Sequence, residues 1–119
     1  MTDGIDMVYC PMDGRPTVRR IEPTADALLE LIGASHIQQI GVMPGIVMIY
    51  DPEQNPDPRT RNRGITWCVA YGSVVYAGTR RRDAERHPWQ LRSLTDEDID
   101  RLIVAGFVIR REDGLHADS

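Results

Sequence analysis

A chain of 119 residues is the length of one domain with room for one modest core. With 41% apolar and 27% charged residues it is composed like a folded globular protein, which excludes a disordered chain. No apolar run approaches the roughly 18 residues of a membrane span. The net charge of −4 excludes a protein held to nucleic acid by its overall field.

The first stretch, MTDGIDMVYC, carries two acids and no basic n-region, so a secretory signal is not expected and the cytoplasm is the default location. Within it, residues 5–10 read as a strand. Asp13-Gly14 is a turn signal, since glycine tolerates positive φ, and residues 17–22 return as a β-rich run. A first hairpin is expected. After Pro23 the period changes. Thr24 can cap a short helix whose apolar residues Ala27, Leu28, Leu31 and Ile32 share one stripe, with Gly33 placed for a left-handed C-terminal turn.

Residues 36–42 and 46–50 flank Met43-Pro44-Gly45 and predict a second hairpin. The segment 51–62 holds Pro52, Pro56 and Pro58, which keep it out of a sheet interior. Residues 65–71 and 74–77 read as two strands, or as one bent at Gly72, with side-by-side pairing expected. The polar run 80–88 reads as a loop. Thr95 caps a second helix, Asp96, Glu97 and Asp98 crowd the positive end of its dipole, and Leu94 with Ile99 has the spacing of a hydrophobic staple. Ile99, Leu102 and Ile103 form its apolar stripe and Gly106 stops it. Residues 107–109 could add an edge strand, and 113–119 read as a loose tail after a single domain over 1–112. The fold class is α+β: one small antiparallel or mixed sheet of about five to six strands, with two short helices on one face.

No sequence motif for catalysis, phosphate binding or calcium binding occurs. Cys10 and Cys68 are not a Cys-x-x-Cys pair and read as small buried hydrophobes. His36, His87 and His116 lie far apart, and nothing supplies the third orienting group that a nucleophilic site needs. The expectation is a protein that is not an enzyme and uses no metal or cofactor.

The basic residues are distinctive. All 14 are arginine, a usage that a GC-rich genome also favours. Arg59, Arg61 and Arg63 alternate, so an extended loop would project them to one side. Arg80, Arg81, Arg82 and Arg86 form a second group. If 65–71 and 74–77 pair, both groups sit at one edge of the domain with Trp67 and Trp89 nearby. Such a surface is a candidate protein-binding rim, since Arg and Trp are enriched at interface hot spots. It is also a candidate platform for single-stranded nucleic acid or a nucleotide. The plain alternative is a solvated loop.

The order of elements, the helix TADALLELIG, the Asn62-Arg63 that ends the proline-rich loop, and the closing Ser93-Leu94-Thr95-Asp96-Glu97-Asp98-Ile99 together resemble one family. It is the small family catalogued as domain of unknown function 3846, found in bacteriophages, plasmids and their bacterial hosts. The resemblance covers roughly residues 17 to 104. It implies a small non-enzymatic cytoplasmic accessory protein of a mobile element that binds a host or defence component, and it supplies no catalytic residue. The proline-rich loop and the arginine-bearing segment 80–92 depart from the family's pattern. A homodimer through an unpaired edge strand is compatible with this reading.

Overall fold

The computed structural model describes residues 4–12, 15–53, 61–62, 70–79 and 91–107. Its strands are β1 (Ile5–Cys10), β2 (Thr17–Ile21), β3 (Gln38–Met43), β4 (Ile46–Tyr50), β5 (Val74–Thr79) and β6 (Leu91–Arg92). Its helices are α1 (Ala25–Ile32) and α2 (Asp96–Val104). All strand pairings are antiparallel, in the order β2-β1-β5-β4-β3, with β6 on β5 beyond the end of β1.

Both expected hairpins form. β1 pairs β2 from Ile5↔Ile21 to Tyr9↔Thr17. β3 pairs β4 from Gln38↔Tyr50 to Met43↔Ile46, with a bulge between Gly41 and Met43. Gly45 has φ +81 between them, a conformation that costs an L-residue strain and glycine almost nothing.

The helices begin and end where their caps dictate. Thr24 accepts from the Ala27 backbone N–H, and Gly33 closes α1 at φ 76. Thr95 and Asp98 form a reciprocal capping box on α2. At its other end Gly106 and Phe107 donate to the carbonyls of Ile103 and Leu102, with Gly106 at φ 82.

Of the expected hairpin between residues 65–71 and 74–77, residues 65–69 lie outside the described residues, and the described partners of the second strand are others. Val74–Ala77 lies between β1 and β4: Val75 faces Tyr9 on one side and Ile49 on the other, and Tyr76 faces Val8 and Met48. Val75 and Tyr76 are thus paired on both edges. β5 is therefore the centre of the sheet.

The expected placement of both helices on one face is corrected too. Successive strand residues point to opposite faces, and here they sort into two cores. Val8, Cys10, Ile46, Met48, Val74 and Tyr76 pack with Leu94 and with Ile99 and Leu102 of α2. Met7, Val47, Ile49, Val75 and Ala77 pack with Leu28 of α1 and with Ile21 and Leu91. One helix covers each face. That is why β4 and β5 are buried along almost their whole length, without alternation.

Among the described residues no helix is long and apolar enough to cross a membrane. Of the expected edge strand at 107–109, Phe107 is a bend after α2, and its carbonyl accepts from the Tyr76 hydroxyl at 3.1 Å. The other two residues lie outside the described residues, as do the Asp13-Gly14 turn, the 80–88 loop and the 113–119 tail.

Candidate functional site

Of the sequence-predicted binding residues, Arg61 is described and is exposed. Arg59, Arg63, Trp67, Arg80, Arg81, Arg82 and Trp89 lie outside the described residues. What the structure does place is the chain bordering the two arginine groups. Arg61 forms a bridge with Tyr71, just before β5 begins, whereas Thr79 is the last residue of β5. At about 3.3 Å per residue, β5 separates these two points by roughly 17 Å or more. The described neighbours of β5 are β1, β4 and β6, and the residues that would carry both arginine groups to one edge lie outside the described residues.

Next to Arg61 stands a residue with a different task. Asn62 is 1% exposed, and its Nδ2 donates at 2.9 Å to the carbonyls of both Cys10 and Gly72. Its backbone N–H donates to Ala70 O. One side chain thus ties the end of the proline-rich segment to β1 and to the start of β5. The Asn-Arg pair reads as a structural clamp followed by an arginine.

At the other end of the sheet a polar node joins β6, α2 and the β3–β4 turn. Arg92 Nη1 donates to Asp98 Oδ2 at 2.7 Å and to Ser93 O at 2.9 Å, and its Nη2 donates to Gly45 O at 3.2 Å. The guanidinium crosses Gly78 so closely that a Cβ there would meet Arg92 Cγ and Nη1 at 2.8 Å. Asp98 also accepts from Thr95 N–H at 3.0 Å and lies 3.5 Å from Arg101 Nη1. Arg101 in turn donates to Pro44 O at 3.3 Å. Burial alone would push the Asp98 carboxyl up. The Arg92 hydrogen bond, the Thr95 N–H and hydroxyl, and the Arg92 charge together outweigh it and hold it below the usual carboxylate range. Sequence spacing identified Asp98 as a cap; its ion pair with Arg92 had no signal beyond arginine being present.

Beside this node, Met43, Glu97, Asp100, Arg101, Val104 and Ala105 line an open groove of about 320 Å³. Val104 is 88% exposed and Ile40, on β3, 38%. A second depression, of about 600 Å³, opens on Gly41, Val42, Met43 and Pro44. Among the described strands the one that pairs with β3 is β4. The strand QQIGVM has no charge and no proline.

The opposite edge, β2, is TVRRI. Its Arg19 stacks over Tyr9 at 4.9 Å and its Arg20 pairs with Asp6 at 3.3 Å, both arginines exposed. Charged side chains on an edge strand are a standard guard against unwanted pairing. One edge of this sheet carries the guard and the other does not.

Of the nucleophile and base candidates, Cys10 and His36 are among the described residues. Cys10 is fully buried and desolvation pushes its thiol up to about 12, so it stays protonated and packs as a hydrophobe. His36 is at the surface, 3.6 Å from Glu53. Cys68, His87 and His116 lie outside the described residues. Among the described residues no group of three or more His, Cys, Asp or Glu is placed to hold a metal ion. The family resemblance over residues 17 to 104 rests on the residues quoted for it alone. No family model, no curated protein and no solved structure matches the chain.

Proposed function

We propose that this chain works by binding a partner protein, and that β3 is the docking edge. What supports this reading is the contrast between the two sheet edges: β2 is guarded by exposed arginines, while β3 carries no charge and no proline. Strand addition to such an edge draws affinity from main-chain hydrogen bonds and specificity from the side-chain pockets beside it. In the mobile-element setting that the family resemblance implies, the partner is a host or defence component. Arg61, with Arg59 and Arg63 flanking it in sequence, belongs to the rim of the contact surface in this reading.

The test is affinity capture from the encoding organism's lysate, with and without nuclease, using the native chain and Ile40→Lys. The reading requires a protein that is retained after nuclease treatment and lost with Ile40→Lys. Capture that survives Ile40→Lys but disappears with nuclease and high salt would replace it with nucleic-acid binding through the arginines, since phosphate contacts weaken steeply with salt.

A further inference from the structure

Independently of what happens at the edge of β3, we infer that the open face beside α2 receives a basic amphipathic helix of a partner protein. Residues paired across neighbouring strands share one side of the sheet. Ile40 pairs with Met48, which belongs to the α2-side core. Strict alternation would turn Met43, three residues on, to the other side. The bulge between Gly41 and Met43 instead pairs Met43 with Ile46, a member of that same core, so Ile40 and Met43 both face α2's side. Among the described residues the exposed large apolar side chains are Met12, Ile40 and Val104. Ile40 lies on this side, and Val104 shares the groove with Met43.

The helix supplies the other wall. Glu97, Asp100 and Val104 recur at i, i+3 and i+7 and form one stripe, away from the buried Ile99 and Leu102. Val104, Met43 and Ala105 make the groove of about 320 Å³ apolar at one end, where a side chain meets no hydrogen-bonding demand. At 1.5 Å per residue, Asp100 and Glu97 lie about 6 and 10 Å further along the helix axis. Both are exposed, and neither pairs with a described cation, because Arg101 is turned to Asp98 and to the Pro44 carbonyl. The helix dipole accounts for Glu97 in the first turn, but not for Asp100 beyond it.

The surface is a sheet face and a helix flank, and such faces are covered by helices. A helix laid beside α2 would set an apolar side chain in the groove. Arginines or lysines four and seven residues away would then meet Asp100 and Glu97. The net charge of −4 favours a basic helix and disfavours a second copy of this chain.

The probe is a synthetic helix-forming peptide with leucine and, four and seven residues away, arginine, set against its glutamate counterpart. Fluorescence anisotropy at low salt reads binding, and circular dichroism reads the helix gained. The arginine peptide should bind and gain helix, and the glutamate peptide should do neither. Glu97→Gln with Asp100→Asn should weaken binding by about tenfold, the scale of two exposed charge pairs. Val104→Ser, which changes no charge, should weaken it by at least about fivefold with Tm moving less than about 2 °C. Asp26→Asn with Glu30→Gln on α1 alters the net charge equally and should leave binding unchanged.

Equal losses from the two charge-neutralising pairs would overturn the inference, because only the overall field would then be acting. Failure of the arginine peptide to bind, binding without helix gain, or binding untouched by Val104→Ser would overturn it too. So would sedimentation showing a dimer of the native chain that Val104→Ser dissociates, since a second copy would then own the face.

Discussion

Removing the Asp98 carboxylate should cost more than any other single change to a polar residue of α2. The group is 5% exposed and engages two elements at once. It caps its own helix through Thr95 N–H and pairs with Arg92 at 2.7 Å, and Arg92 in turn holds the Gly45 carbonyl. Losing its half of the capping box costs about 0.5–1 kcal/mol. Losing a charge-assisted hydrogen bond and leaving Arg92 short of a partner costs about 1.5–3 kcal/mol more. The Arg101 contact adds little, since Arg101 is 37% exposed and solvent screens it. Asp98→Ala should therefore destabilise by about 3 kcal/mol.

For 119 residues the unfolding entropy is about 0.25 kcal/mol/K, so Tm should fall by roughly 12 °C at pH 7. The effect must also depend on pH. A carboxyl held below its unfolded range adds stability that is present above the unfolded value, near pH 4, and is lost as pH falls through the folded one. The gap in Tm between the native chain and Asp98→Asn should thus narrow as pH is lowered below about 4. Scanning calorimetry across pH, with an Arg92→Met double-mutant cycle, measures both parts. A loss under about 0.5 kcal/mol, or a gap that does not change with pH, would refute the reasoning.

The remaining predictions are simpler to state. Leu102→Asp and Ile99→Asp should leave the chain unfolded by circular dichroism, because each places an unpaired charge in the α2-side core. The neighbours Arg61 and Asn62 should behave oppositely. Arg61→Ala should leave Tm within about 2 °C, whereas Asn62→Ala strands the Cys10 and Gly72 carbonyls and should cost about 2–3 kcal/mol by urea unfolding. Peptide-resolved mass spectrometry after iodoacetamide at pH 8 should find Cys10 unmodified in the native protein and alkylated in denaturant. Prompt labelling of the folded chain would contradict its burial.

What was legible in the sequence was local chemistry. Thr24 with Gly33, Thr95 with Asp98, Leu94 with Ile99 and the Pro44-Gly45 turn each place a backbone boundary through atoms a few residues apart. The pairing of β5 was not legible, because adjacency in sequence argues for 65–71 as its neighbour while the strands that flank it lie some 25 to 70 positions away in the chain. A clue to the second helix layer was present. The runs IVMIY and VVYAGT are apolar without alternation, which is the pattern of strands buried on both faces.

The arginine surface depended on 65–71 as the neighbour of β5, whose described neighbours are β1 and β4, and arginine spacing alone says nothing about which guanidinium finds a carboxylate. Arg92, absent from the candidate residues, is the one with the densest set of described partners. The docking edge was illegible for a related reason. QQIGVM is an ordinary β segment until its position in the sheet order is known.

Amide hydrogen exchange along Gln38–Gly41 tests the docking edge most directly. In the free protein, the amides of this strand that point away from β4, that of Gln39 excepted, should exchange quickly, and they should slow sharply once the captured partner is added. Outward amides that are already protected in the free chain, or that exchange as fast in the complex as outside it, would contradict the assignment of β3 as the surface through which this protein acts.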